Sequence, residues 1–108
     1  MTCLDVARQY MDAWNAHDAR AIVRTFSVDG AYVDPTTAAI SGDAIADHAT
    51  RLWSAFPDLS FETVSMAEAG ADRVVIEWIM RGTNTGAFQV QPVGVRGLRP
   101  RRRRTFLT

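Results

Sequence analysis

The residues whose types and surroundings could do proton chemistry begin with Asp34 and His48. Asp34 sits in the short apolar run AYVD, where desolvation would raise the pKa of its carboxyl and make it a better base. Side chains two apart on a strand point the same way, so the phenol of Tyr32 shares that face. His48 falls between Ile45 and Leu52 on the apolar side of a helical pattern, where an imidazole could donate a hydrogen bond or carry a proton. Each residue also has a plainer reading. Aspartate before proline, here Pro35, is a common turn device, and a buried, satisfied histidine is a common core residue. His17 and Asp18 in NAHD read as capping and loop-bonding groups at a helix corner. No histidine or cysteine spacing suits zinc and no Gly-rich loop suits phosphate, so the residues imply neither metal nor cofactor.

The elements that must position these groups follow from periodicity. Val6, Tyr10 and Trp14 recur every fourth residue, with Ala7 and Met11 beside them, which predicts a helix over residues 2–16 capped by Thr2. Asp18 is placed to cap a second, short helix carrying Ile22, Val23 and Phe26. The strand AYVD is stopped by Pro35. Ser41 and Gly42 open a third helix with Ile45, Ala49, Leu52, Trp53 and Phe56 on one side, ended by Pro57. Residues 59–68 are extended, yet Leu59 and Phe61 alternate in one phase and Val64 and Met66 in the other, so a bulge or bend near Glu62 is expected. Val74, Ile76, Trp78 and Met80 then mark the clearest strand, with Glu77 and Arg81 on its other face in a solvated cross-strand pair. Helices before strands favour α+β over a parallel sheet.

At 108 residues the chain suits one domain. Hydrophobic content of 47% with 22% charged residues is a globular composition with no run of the ~20 apolar residues a membrane span needs. The N-terminus has no basic segment leading into an apolar run, and the lone Cys3 has no partner for an internal disulfide, so a cytoplasmic protein is expected. The zero net charge conceals an asymmetry. All 12 basic residues are arginine; six lie in residues 1–88 beside all 12 acids, and six lie in residues 89–108 with no acid.

Taken in order, YMDAWNAHDARAIVRTF, YVDP, the SG before the third helix, FPDLSFE and DRVVIEWIMRGTNTGAF resemble the SnoaL-like polyketide cyclases of the nuclear transport factor 2-like superfamily, over about residues 4–89. That resemblance implies a cystatin-like cone: a strongly bent antiparallel sheet packed with three N-terminal helices around an apolar pocket. It also implies a small apolar ligand, a possible homodimer and cofactor-independent polyketide or ester cyclase chemistry. Such chemistry needs a carboxylate to move a proton and donors to hold an enolate oxygen. Ketosteroid isomerases belong to the same superfamily and use an aspartate base with a tyrosine donor. By that likeness Tyr10 in RQY falls on the helix-borne tyrosine and Asp34 on the strand-borne aspartate, although Tyr10 equally fits a core stripe. The resemblance thus nominates Asp34, Tyr10 and His48 as catalytic, with Tyr32, Trp14, Trp53, Phe56 and Trp78 for the substrate. A non-catalytic ligand-binding or dimerisation module is the alternative.

Family members continue past GAFQ into two long strands and place a late acidic residue there. This chain has no Asp or Glu after Glu77, and residues 90–108 are rich in Arg and Pro with no sustained alternation. An incomplete domain at residues 1–89 with a disordered or out-of-frame tail at 90–108 is the expectation, which would leave the last recognised strand with an open edge. A genuine RPRRRR arm would instead attract nucleic acid in a salt-dependent way.

Overall fold

The computed structural model describes residues 1–87 and the strand Arg103–Leu107. Helix α1 spans Cys3–Asn15. Thr2 caps it reciprocally: its hydroxyl accepts the Asp5 N–H at 3.1 Å, and the Asp5 carboxylate accepts the Thr2 N–H at 3.0 Å. Those bonds, the backbone one first, hold the Asp5 carboxyl below the ordinary aspartate range. Thr2→Ala should therefore cost roughly 1 kcal/mol, read as a lower urea midpoint; an unchanged midpoint would mean that the cap contributes nothing to folding.

Helix α2, Ala19–Arg24, is separated from α1 by only three residues. His17 makes the reversal possible by adopting a positive φ of 54°, and Asp18 then caps α2 by accepting the Ala21 N–H at 3.0 Å. The corner is also fastened to a distant strand. Asn15 exchanges two hydrogen bonds with the backbone of Phe61, at 3.0 and 2.7 Å, and His17 Nε2 donates to the Leu59 carbonyl at 2.8 Å.

Strand β1, Tyr32–Asp34, does not simply stop at Pro35. It pairs antiparallel with β2, Thr37–Ile40, a strand that the sequence pattern does not reveal. Pro35 lies in the connecting turn, where its missing N–H breaks no ladder bond, and the Thr36 N–H goes to Asp34 at 2.7 Å. Helix α3, Asp43–Ala55, starts from Gly42 at φ 60°, ψ −134°, a conformation that only glycine adopts without strain. Its buried side carries Ile45, Ala46, His48, Ala49, Leu52 and Ala55.

Strands β3, Ser60–Glu68, and β4, Val74–Arg81, form an antiparallel pair whose register shifts between Thr63 and Ser65. The expected irregularity thus falls at Val64, two residues later than the alternation suggested. It brings Phe61 and Met66 onto one face, opposite Met80 and Ile76, and turns Val64 out to 49% exposure. Arg81 finds its cross-strand partner in Glu62, at 2.6 Å.

Strand β5, Arg103–Leu107, lies antiparallel along Glu77–Arg81. The side of β4 that the sequence reading left open is therefore occupied over those five positions. Backbone pairing requires no side-chain alternation, and the Thr105–Phe106–Leu107 end has ordinary strand propensity. The readings of Val90–Val95 and of RPRR fall outside the described residues.

The core joins the three helices to the start of β3: Ala13 and Trp14 from α1, Ile22 from α2, Ile45, Ala49, Leu52 and Ala55 from α3, then Phe56 and Leu59. The segment after β4 closes this end, with the N–H groups of Thr85 and Gly86 reaching the Ala55 carbonyl. A Cβ on Gly86 would lie 2.7 Å from the Ser54 carbonyl oxygen, so only glycine allows this approach. The order and antiparallel pairing make the fold α+β. Among the described residues, no helix is long and apolar enough to cross a membrane.

Candidate active site

The hairpin and α3 bring Asp34, Tyr32 and His48 together. Asp34 uses its two oxygens differently. Oδ1 accepts both the N–H and the hydroxyl of Thr36, at 2.7 and 2.6 Å; Oδ2 accepts the Tyr32 hydroxyl at 2.6 Å. Nε2 of His48 stands 3.4 Å from the same Oδ2. That distance suits an ion pair when the imidazole is protonated, but the angles are not those of a hydrogen bond, and Nε2 has no hydrogen-bond partner among the described residues. The His48 side chain is 7% exposed and the Asp34 side chain 22%, so Asp34 is the more accessible of the two. The rings of Tyr32 and His48 lie 5.2 Å apart.

The electrostatics of Asp34 differ from the sequence expectation. Burial does push its pKa up, but the contacts with His48, Thr36 and Tyr32 outweigh it and hold the carboxyl far below the ordinary range. The correction has a simple cause: three neighbouring side chains and one N–H stabilise the charge, and desolvation alone was considered from sequence. Asp34 is thereby kept ionised, and its strength as a base is reduced.

A carboxyl whose folded pKa is depressed stabilises the fold above its unfolded pKa, and that contribution is lost as pH falls below the ordinary aspartate value of about 3.9. Urea unfolding of the wild type and of Asp34→Asn should thus differ most near pH 7 and converge on acidification. A gap that stays constant down to pH 3 would show that Asp34 is not held ionised by its neighbours.

Tyr10 projects from α1 into the same neighbourhood. Burial above all pushes its phenol up to about 12, with the charge of Asp34 adding to it and Trp14 opposing it. Tyr32 is pushed well above the usual phenol range by burial first, then by Tyr10 and Asp34. Both phenols remain protonated at neutral pH and can only act as neutral donors or acceptors. The ring of Tyr10 packs edge-on against Trp14 and Phe26, which fits the core stripe as well.

The aromatic residues nominated for substrate separate into two groups. Trp14 and Phe56 are buried core residues, whereas Trp53 and Trp78 are half-buried. Trp53 stacks on His17 at 4.8 Å and meets Trp14 edge-on at 5.6 Å; its indole Nε1 is buried with no hydrogen-bond partner among the described residues. Trp78 meets Phe61 edge-on at 5.0 Å. Thr36 was missed by sequence reasoning, although Asp-Pro-Thr carries the signal of an aspartate bonding the backbone two residues on. Among the described residues, no three His, Cys, Asp or Glu side chains gather closely enough to share a metal ion.

The sequence model of a family described as SnoaL-like domain matches residues 7–105. The chain belongs to the SnoaL-like domain family. The match runs through the arginine-rich stretch and into β5, ending at residue 105. Solved structures agree on the fold of this SnoaL-like chain. An uncharacterized cystatin-fold protein from Novosphingobium aromaticivorans is 18% identical over 85% of this chain and 81% of its own, with a TM-score of 0.70. AclR of Streptomyces galilaeus, a proposed hydroxylase, is 25% identical at a TM-score of 0.67, and the present chain spans 95% of its own length but 60% of AclR. A protein with a ketosteroid isomerase-like fold from Catenulispora acidiphila, solved with trimethylamine, is 26% identical over 81% of this chain and 67% of its own, with a TM-score of 0.70. No curated protein matches the chain.

Proposed function

We propose that this SnoaL-like domain binds a small, largely apolar carbonyl compound and transfers a proton at the carbon beside the carbonyl, as a cyclase or isomerase. The observation that carries the reading is the meeting of a phenol and an imidazole at one oxygen, Oδ2, of the partly exposed Asp34 side chain. Membership of the SnoaL-like family and the likeness to a ketosteroid isomerase-like fold support it.

In this reading the substrate C–H bond breaks, its proton passes to Oδ2, and the electron pair moves onto the carbonyl oxygen to give an enolate. A neutral phenol, Tyr10 or Tyr32, donates to that oxygen. If Tyr32 releases Oδ2 to reach the enolate, the carboxylate loses a stabilising donor and becomes a stronger base as the reaction needs one. His48, beside Oδ2, is placed to take the proton onward. The enolate carbon then attacks a second carbonyl carbon, whose π pair moves onto its oxygen and takes the proton back from Oδ2 or His48 to close a ring as an aldol. Alternatively, the conjugated enolate is reprotonated at another carbon to move a double bond.

One observation favours a second reading, a binding module without catalysis. Thr36 and Tyr32 already fill Asp34 with donors, which suits a fixed charge better than a base. Two probes separate the readings: isomerisation of 5-androstene-3,17-dione, followed by the absorbance of the conjugated product, and ring closure of an aromatic polyketide methyl ester. Turnover of either supports proton transfer. Binding of both, seen as chemical-shift changes at Tyr32 and His48 without turnover, supports the module.

A further inference from the structure

We propose that Thr36 is the positioning residue of this centre: its N–H and its hydroxyl both bond Oδ1 of Asp34 and so commit Oδ2 to Tyr32, His48 and the substrate. The inference rests on the proton-transfer reading of the same site.

An aspartate side chain ends in a broad, roughly two-fold torsion, so a single hydrogen bond leaves the carboxylate free to rock or to exchange its oxygens. Two donors from one residue, one on the backbone and one on the side chain, come from different directions and remove that freedom. They also occupy the acceptor capacity of Oδ1, so a proton taken from a substrate is delivered to Oδ2. Pro35 contributes to the arrangement by placing Thr36 in the turn of the hairpin, two residues beyond the carboxylate it holds. The Thr36 bonds stabilise the charged form as well, so the residue trades base strength for orientation.

Thr36→Val removes the hydroxyl while keeping the side-chain shape and the N–H bond, and Thr36→Ser restores the hydroxyl. The readout is a 13C NMR titration of the aspartate carboxyls in the full chain, with the Asp34 signal assigned by its loss in Asp34→Asn. Asp34 should titrate about one pH unit higher in Thr36→Val, the equivalent of one hydrogen bond to a charged group, and should return to the wild-type value in Thr36→Ser. Identical titration in the wild type and Thr36→Val overturns the assignment, as does a serine variant that behaves like valine. Should Thr36→Val fail to fold, the wild type decides, because an Asp34 that titrates in the ordinary aspartate range contradicts the inference. A shifted titration in a protein that turns over neither probe keeps the role of Thr36 and removes the proton-transfer reading. Turnover with an unshifted titration does the reverse.

Discussion

Asp34→Asn should lower kcat/KM for a proton-transfer substrate by about 100- to 10,000-fold, the usual contribution of a positioned acid or base. The amide can still accept from both Thr36 groups on Oδ1, so the hairpin turn should survive. What changes is the other position: an NH2 group replaces Oδ2, and the Tyr32 hydroxyl and His48 Nε2 face a donor in place of a charge. The loss should therefore appear in kcat, with KM little altered, as for an interaction made chiefly in the transition state. At pH 7 the variant should also lose stability, by about 1–3 kcal/mol, the range for a hydrogen-bonded charged group. A variant with unchanged kcat/KM would remove Asp34 from the chemistry whatever its effect on folding.

Trp14→Ala should have the largest effect on stability, roughly 3–5 kcal/mol. Trp14 is 3% exposed, and three aromatic rings surround it: Tyr10 at 6.4 Å, Trp53 at 5.6 Å and Phe61 at 5.4 Å between centroids. It joins α1 to both α3 and β3, so the cavity left by alanine cannot collapse without moving one of them. Against a domain stability of about 5–15 kcal/mol, that loss is a large fraction of the whole. Calorimetry checks it, with the fully exposed Val28→Ala as a control expected to stay within about 0.5 kcal/mol of the wild type. A Trp14→Ala loss as small as the control's would mean that the aromatic cluster is not what holds the helices to the sheet. Because Tyr10 packs edge-on against Trp14, the substitution should also disturb the phenol of Tyr10, and any activity that depends on it should fall together with stability.

The helices and the strand phases were legible because their causes are local. Thr2 and Asp5 are three residues apart, Asp18 caps the helix that follows it, and the stripes of α1 and α3 repeat at helical spacing. The bulge in β3 was legible for a similar reason: Phe61 and Val64 cannot both face inward on an unbroken strand. Its position at Val64 required the register with β4. Strand β2 was not legible, because Thr37–Ile40 has too little alternation to stand alone and forms only through pairing with β1.

At the site, the types of Asp34 and His48 signalled chemistry, and the strand period placed Tyr32 on the face of Asp34. The ionisation of Asp34 could not be read in advance. It depends on donors from residues 32 and 36 and on the nearby imidazole of His48, whose convergence is a product of the hairpin and of α3 packing beside it. The stretch NAHD illustrates the same limit. Capping by Asp18 was visible, whereas the bonds of Asn15 and His17 to Phe61 and Leu59 span more than forty residues.

The most direct measurement is deuterium exchange at carbon: the wild-type chain is incubated in D2O at pH 7 with an aromatic 1,3-diketone, and loss of the proton between the carbonyls is followed by NMR. Exchange well above the buffer rate, saturable in diketone, is the predicted result. A diketone that binds, shifting the Tyr32 and His48 resonances, yet exchanges at the buffer rate would contradict proton transfer by the Asp34 centre.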